Sequence, residues 1–305
     1  MRIVLAIDDS VYSKMAIKML KALQLSANTT ITVMTVVPEH TFLGGITIDK
    51  LFSKALDKEE THKAQQNRAA SLLQESVDVL KTTDANLESV VYRGKPAEKI
   101  IEKAHDMGAD LIVLGAKGTS NSSWFPMGSV GQKVMKYAGC SVLLIREGPK
   151  AIRRVFLATD GSDHSDQVAR LLFDLPLPKQ SQVTLLTALQ SHTDAMTKTI
   201  TFERETDRRI LGELKTAEEK IARKLMNNIK KQFEEQGYKT SLWLLRGEPA
   251  EEILEAANEL NPELIALGAK GLTNAKSVLL GSVAERVARF SKYSVLIVRT
   301  HQELE

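Results

Sequence analysis

The chain has 305 residues, which is too long for one ordinary hydrophobic core and suits two domains of roughly 150 residues each. Its 41 basic and 38 acidic residues leave a net charge of only +3, and no stretch is apolar enough for a signal peptide or a membrane span, so we expect neither a nucleic-acid nor a membrane partner. Cys140 is the one cysteine, which excludes an internal disulfide framework and a cysteine-based metal cluster and favours a reducing, cytoplasmic location.

The first half of the chain alternates strand-like and helix-like segments. Its strand-like runs are short and apolar: RIVLAI, TITVMTVV, LESVVYR, DLIVLG and SVLLIR, at residues 2–7, 30–37, 87–93, 110–115 and 141–146. Several are apolar at successive positions, which predicts parallel strands buried on both faces. An amphipathic helix before the third run is predicted by Ala69, Leu72, Leu73, Val77 and Leu80. Pro96 predicts the start of the next helix, because proline lacks the N–H that a first helical turn leaves unpaired.

The second half repeats the first. Its strand-like runs are RVFLAT, QVTLLTAL, TSLWLLR, ELIALG and SVLIVR, at residues 154–159, 182–189, 240–246, 263–268 and 294–299. RGKPAE at Arg93–Glu98 returns 153 positions later as RGEPAE at Arg246–Glu251. A long helix in this half is predicted by an apolar stripe at Ile210, Leu214, Ile221, Leu225, Ile229 and Phe233. The chain is therefore predicted to be a duplication of a whole domain.

The order βαβαβαβαβ in each half predicts an α/β fold with a parallel, doubly wound sheet. The joint between the halves is predicted at EGPK, Glu147–Lys150, because glycine and proline interrupt both neighbouring elements. We therefore predict one domain at residues 1–148 and a second at 149–305.

The same glycine spacing closes both halves. LGAKGTSNSSWFPMGS at Leu114–Ser129 and LGAKGLTNAKSVLLGS at Leu267–Ser282 share Gly-x-x-Gly, nine further residues and Gly-Ser. Ligands of doubly wound sheets bind beyond the carboxyl ends of the strands, where the strand order reverses. Glycines there let main-chain N–H groups approach an anion, and Gly-Ser adds the N-terminus of the last helix and a hydroxyl. The spacing predicts a phosphate site, although the glycines could instead form only tight turns, with Ser129 and Ser282 as helix N-caps.

These motifs resemble those of the universal stress protein family in its tandem two-domain form. The family's nucleotide-binding members carry the same glycine spacing and an Asp-x-Ser turn after the first strand, here Asp8–Ser10 and Asp160–Ser162. The resemblance covers essentially the whole chain. It implies two Rossmann-like (HUP-type) domains, each with a five-stranded parallel sheet of order 3-2-1-4-5. It also implies binding of ATP, or of ADP or AMP, often with Mg²⁺.

The resemblance also assigns roles to individual residues. Asp8 and Asp160 face the ribose or the Mg²⁺ side of the nucleotide, Val36 and Ala188 meet adenine through their backbones, and Gly115 and Gly268 lie near the ribose. The residues that bind the phosphates are Gly118, Gly128, Ser129, Gly271, Gly281 and Ser282. The predicted sites also include Ala6, Ser10, Leu114, Lys117, Val130, Ala158, Ser162, Leu267, Lys270 and Val283. Of these, Lys117 and Lys270 either reach phosphate oxygens or are merely solvated.

Two features of the first half depart from the family pattern. Asp9 stands where glycine is more usual, so it either brings a carboxylate near the ligand or points to solvent. The first glycine loop contains Trp124-Phe125-Pro126, which either covers the site or docks on a neighbouring chain.

Three classes of function remain open. A regulatory ATP-binding module is favoured by the two complete motifs. An enzyme, at most a slow ATPase or an adenylate-handling protein, is less favoured, because no general base and no arginine finger is evident in the motif. The third class is a protein–protein adaptor without nucleotide. We also expect the fifth strands of the two domains to pair within the chain, because bare apolar edge strands invite aggregation, and a homodimer is a further expectation.

Overall fold

A computed structural model gives the fold. The structure describes residues 1–39, 42–43, 46–47, 58–118, 127–149, 151–161, 163–175, 177–189, 205–271 and 280–299. The chain divides into two compact units, with the boundary between Ala151 and Ile152.

The first unit alternates strands and helices. Its parallel strands are β1 (Arg2–Ala6), β2 (Thr30–Val37), β5 (Asn86–Arg93), β6 (Leu111–Gly115) and β7 (Ser141–Ile145). Two short antiparallel strands, β3 (Phe42–Leu43) and β4 (Ile46–Thr47), follow β2. The helices are α1 (Val11–Ala22), α2 (Lys58–Leu80), α3 (Pro96–Asp106) and α4 (Ser129–Tyr137).

The strand order of the first unit is β5-β2-β1-β6-β7, with every neighbouring pair parallel. Counted along the chain without the small β3–β4 hairpin, this is the predicted order 3-2-1-4-5. The order reverses between β1 and β6, where Ala6 pairs with Leu114. The carboxyl ends of these two strands therefore form the crevice in which ligands of such folds bind.

The second unit repeats this arrangement. Its strands are β8 (Arg154–Ala158), β9 (Gln182–Leu189), β10 (Lys239–Arg246), β11 (Leu264–Gly268) and β12 (Ser294–Val298). Its helices are α5 (Asp163–Asp174), α6 (Glu205–Glu235), α7 (Pro249–Leu260) and α8 (Ser282–Phe290). The order is β10-β9-β8-β11-β12, again parallel throughout, so the predicted α/β fold is confirmed in both halves.

The strands form because their apolar runs can be buried on both faces of the sheet. Three successive residues of β1 (Ile3, Val4, Leu5) and three of β6 (Leu111, Ile112, Val113) have no exposed surface. Pro96 occupies the first turn of α3, as predicted, and Pro249 occupies the first turn of α7.

The predicted apolar stripe of α6 is only partly buried. Ile229 and Phe233 lie in the core, but Leu214 is 50% exposed and Ile221 63% exposed. The reason is geometric, because four residues of an α-helix turn about 40° more than one full turn. Residues spaced four apart therefore shift gradually around the helix and do not all lie on one face. The buried face of α6 follows mixed steps of three and four instead: Ala222, Met226, Ile229 and Phe233.

No helix among the described residues is both long and apolar enough to span a membrane.

Candidate functional site

Asp8 follows β1 at the point where the strand order reverses, and two serines fix its carboxylate. The N–H of Ser10 donates to Asp8 Oδ1 at 3.1 Å, and the Ser13 hydroxyl donates to the same oxygen at 2.7 Å. The N–H of Asp8 donates in turn to Ser13 Oγ at 2.8 Å. Ser10 is also the N-cap of α1, so the start of that helix and the direction of the carboxylate are set together.

The second oxygen of each aspartate faces the glycine motif. A Cβ added to Gly118 would lie 2.7 Å from Asp8 Oδ2, and one added to Gly271 would lie 2.6 Å from Asp160 Oδ2. Real Cβ atoms do not approach oxygen so closely. The absence of a side chain at these two glycines therefore lets the motif lie directly against the aspartate in both units.

The two ends of each glycine motif meet. The N–H of Gly128 donates to the carbonyl of Ala116 at 2.8 Å, and a Cβ at Gly128 would lie 3.6 Å from the nitrogen of Gly118. In the second unit the N–H of Gly281 donates to the carbonyl of Ala269 at 2.7 Å. The loops between these ends, including Trp124-Phe125-Pro126, lie outside the described residues. The N–H groups of Gly128 and Gly281 therefore already form hydrogen bonds within the protein. These two glycines can assist the binding of an anion chiefly because they have no side chain in its way.

Helices α4 and α8 begin at the serines of the motif. Gly128 and Gly281 are the N-caps, so Ser129 and Ser282 each occupy the first helical position and are exposed. The alternative that these serines are N-caps is therefore wrong. The first turn of each helix offers main-chain N–H groups and partial positive charge beside the serine hydroxyl. One difference separates the two helices: the first turn of α8 carries Glu285, whereas that of α4 has no acidic residue.

The backbones of Val36 and Ala188 face the same crevice. Strand β1 ends at Ala6, and the N–H of Ile7 donates to the carbonyl of Met34 at 2.9 Å. Since main-chain groups alternate between the two sides of a strand, those of Val36 point to the side where β1 has ended. The N–H of Thr159 donates to the carbonyl of Leu186 in the same way, which gives Ala188 the matching position.

The remaining predicted site residues divide by burial. The side chains of Ala6, Leu114, Ala158 and Leu267 are at most 8% exposed, so these residues can reach a ligand only through the main chain. Gly115, Gly268, Lys117, Lys270, Val130 and Val283 are half-buried along the crevice elements. Ser10 donates its hydroxyl to the carbonyl of Lys117 at 3.4 Å, and Ser162 lies outside the described residues.

Two residues that the sequence did not single out, Tyr12 and Arg68, also shape the first site. Tyr12 packs beneath Gly115, where an added Cβ would lie 2.6 Å from Tyr12 Cβ. Arg68 of α2 forms an ion pair with Asp9, so the extra carboxylate of the first repeat is offset by a guanidinium. Neither reading of Asp9 included this partner, because no local signal links two residues 59 positions apart.

The turn after the first strand differs between the two units. Gly161 has a φ of 76°, a conformation that favours glycine, and an added Cβ would lie 2.5 Å from Leu225 of α6. Asp9 occupies the equivalent position of the first unit. Glycine is therefore required by the second turn, whereas the first turn accommodates a side chain.

A buried cation follows the last strand of the first unit. Arg146 is 9% exposed, and burial lowers the pKa of its guanidinium to about 10, although Tyr12 acts in the opposite direction. Arg146 therefore remains charged at neutral pH. Arg299, its counterpart in the second unit, is equally buried.

Among the described residues, no group of three or more His, Cys, Asp or Glu side chains could hold a metal ion. Mg²⁺ is commonly bound by one or two carboxylates together with the phosphates of a substrate. Asp8 and Asp160 therefore fit a metal ion that arrives with a nucleotide better than a permanent metal centre.

Comparison with known proteins relates both halves of the chain to the same family. The model of the universal stress protein family matches residues 1–146 and again residues 151–299. Universal stress protein YxiE of Bacillus subtilis is 30% identical over 146 residues, which is 48% of this chain and 98% of the relative. A universal stress protein of Methanocaldococcus jannaschii is 31% identical over 51% of this chain and 87% of its own length.

A solved structure covers both halves. The universal stress protein of Archaeoglobus fulgidus aligns with 98% of this chain and 96% of its own, with a TM-score of 0.62 and 19% identity. At that identity the likeness supports the fold alone.

Proposed function

Because this chain belongs to the universal stress protein family, we propose that each of its two repeats binds ATP or a related adenine nucleotide, ADP or AMP. The observation that carries the proposal is the repeated contact of an aspartate with the first half of the glycine motif. In both units this contact lies beside a helix N-terminus at the carboxyl ends of the central strands.

Each part of the nucleotide has a matching group in this crevice. The first turns of α4 and α8, with Ser129 and Ser282, offer donors to the phosphates. The main chains of Val36 and Ala188 offer a donor and an acceptor to the edge of adenine. Asp8 and Asp160 would hold Mg²⁺ or the ribose hydroxyls, and Gly115 and Gly268 would lie along the sugar.

The proposed role is regulatory binding with little or no turnover. N–H groups and a serine hydroxyl hold the phosphates of bound ATP, but equal binding of the ground state and the transition state does not accelerate hydrolysis. The carboxylate of Asp8 already accepts two hydrogen bonds at Oδ1, which suits holding a ligand in place. We further propose a cytoplasmic location, which the single, buried thiol of Cys140 supports.

We also propose that the two repeats pair through their fifth strands, β7 and β12. The support comes from the sequence, in which both strands are apolar and end their domain's strand order. Fusion of the repeats would raise the effective concentration of such a pair to the millimolar range, by order of magnitude. Residues 1–148 and 149–305, expressed separately, should then self-associate. Two soluble monomers at high concentration would remove the support for this pairing.

The nucleotide proposal is tested by thermal unfolding and by phosphate release. ATP with Mg²⁺ should raise stability by about 2.7 kcal/mol at a hundredfold excess over the dissociation constant, while phosphate release stays very slow. Asp8→Asn and Asp160→Asn should weaken this stabilisation. No stabilisation at millimolar ATP would contradict binding. A turnover near roughly 10 s⁻¹, lost in Asp8→Asn although ATP still binds, would identify an ATPase instead.

A further inference from the structure

The first unit contains an open cavity, the α3–α4 groove, away from the glycine motif. It lies between α3 and α4, has a volume of about 690 Å³ and reaches the amino-terminal end of β7. Its lining is largely apolar: Ala97, Ile101, Ala104, Ala109, Tyr137 and Cys140. Pockets of roughly 300–1,000 Å³ with such a lining accommodate small organic molecules. The proposed nucleotide sites lie at the carboxyl ends of the strands, so this cavity is a separate feature.

In the second unit an aromatic side chain crosses the equivalent region. Tyr293 occupies the position of Cys140, and Asn261 occupies that of Gly108, which also lines the cavity. The hydroxyl of Tyr293 donates to Asn261 Oδ1 at 2.8 Å, so the phenol ring spans these two positions. At the equivalent positions the first unit has Gly108 and Cys140, whose side chains cannot form this contact.

The two units also differ farther along the same groove. Arg286 of α8 binds Glu248 at 3.0 Å and Glu251 at 2.6 Å, which ties α8 to the start of α7. The equivalent of Arg286 in the first unit is Lys133, while Glu98, the equivalent of Glu251, pairs with Lys95 at 3.0 Å. The groove of the first unit is therefore not bridged by these counterparts.

The charges around the cavity favour an uncharged ligand. Glu98 and Glu102 at the mouth are neutralised by lysines of the same helix, Lys95 at 3.0 Å and Lys99 at 2.6 Å. A third carboxylate, Asp106, and a lysine, Lys133, also line the groove and balance each other in formal charge. The groove therefore combines apolar walls with a mouth whose charges are largely balanced, and it selects neither an anion nor a cation strongly.

We propose that the groove between α3 and α4 of the first unit is a binding site for an uncharged aromatic molecule of the phenol class. The ring of the ligand takes the position that corresponds to the Tyr293 ring of the second unit. The cavity has room for more than one ring. The site is independent of the proposed nucleotide binding.

The test uses the full chain and naphthol, an uncharged two-ring phenol, in fluorescence and calorimetric titrations. Wild-type protein should bind about one naphthol per chain, with a dissociation constant of about 0.1–1 mM, in the range expected for so few atoms. Saturating ATP should not displace it, which excludes binding in the adenine pocket. Cys140→Tyr combined with Gly108→Asn should weaken binding at least about tenfold.

The second unit supplies the matched control. Tyr293→Cys combined with Arg286→Lys removes both the ring and the bridge to α7, and should raise the stoichiometry towards two naphthol molecules per chain. This variant keeps the test decisive if the double variant of the first unit fails to fold. The proposal is overturned if wild-type protein does not bind naphthol, if ATP displaces it, if the folded double variant of the first unit retains wild-type affinity, or if the double variant of the second unit adds no binding.

Discussion

There is no room for a side chain at Gly118 or Gly271, because in both repeats an aspartate carboxylate oxygen lies next to the glycine. In the first repeat, Ser10 and Ser13 hold the other oxygen of Asp8, so the carboxylate cannot turn away without breaking hydrogen bonds. At the scale of the residue, each of these glycines therefore helps to set the position of an aspartate as well as the path of the loop.

Replacement of Gly118 tests this role. Gly118→Ala should push the Asp8 carboxylate aside and lower the ATP affinity of the first site by roughly tenfold. The loss of one well-placed contact costs about 1.4 kcal/mol of binding free energy, which corresponds to that factor. Calorimetry on a chain that also carries Gly281→Val reads the first site alone. The matched control is Gly212→Ala in α6, where an added Cβ meets no atom within 4 Å. The control should leave affinity unchanged and stabilise the helix by about 0.5–1 kcal/mol. Equal affinities in both variants would rule out this role for Gly118.

The residues of the motif were predictable from the sequence, but not all of the side chains that contact them. Glycine spacing predicted a close approach and assigned it to the ligand, whereas the structure adds Asp8 and Asp160 as neighbours. The Asp9–Arg68 ion pair and the packing of Tyr12 under Gly115 depend on how separate elements meet. Spacing within one segment contains no information on such contacts.

At the scale of the element, the strands were predictable because burial on both faces demands uninterrupted apolar runs. Helix α6 was harder, because its apolar residues cover more than one face. Its sequence offers Ile221 and Ile229 as equivalent members of one stripe, yet the sheet covers Ile229 and leaves Ile221 exposed. Only the packing of the helix decides which of the two faces inward.

This distinction predicts opposite outcomes for two isoleucines of the same helix. Ile229→Ala should destabilise the second unit by about 2–4 kcal/mol, since it leaves a cavity in the core. Ile221→Gln should change stability by less than about 0.5 kcal/mol. Urea denaturation monitored by circular dichroism measures both. A large loss from Ile221→Gln would show that its surface is covered in solution.

The first turns of α4 and α8 differ in charge, which predicts unequal ATP affinities at the two sites. Glu285 adds a negative charge to the first turn of α8, which faces the proposed phosphate site, whereas α4 has Gln132 at the matching position. Charges near a helix N-terminus contribute about 0.3–1 kcal/mol, so Glu285→Gln should strengthen ATP binding at the second site by roughly two- to fivefold. Gln132→Glu should weaken the first site by a similar factor. Calorimetric titration of both variants checks the prediction, and no change in either would mean that this turn does not face the phosphates.

At the scale of the whole molecule, the duplication was visible in the sequence because matching motifs recur at a nearly constant offset. The differences between the repeats were not visible in the same way. Cys140 and Tyr293 look like an ordinary exchange in an alignment of the halves, yet Cys140 borders a cavity and Tyr293 forms a hydrogen bond across the equivalent region. The two units thus share a fold and a motif while differing in the surroundings of both.

The number of ATP molecules bound per 305-residue chain in the presence of Mg²⁺ tests nucleotide binding at the two glycine motifs most directly. Titration calorimetry should give a value near two for the wild-type protein and near one for either Gly128→Val or Gly281→Val, because valine blocks the approach of phosphate at one site only. Absence of binding by the wild-type protein at millimolar ATP, or a stoichiometry that neither substitution changes, would contradict nucleotide binding at the two glycine motifs.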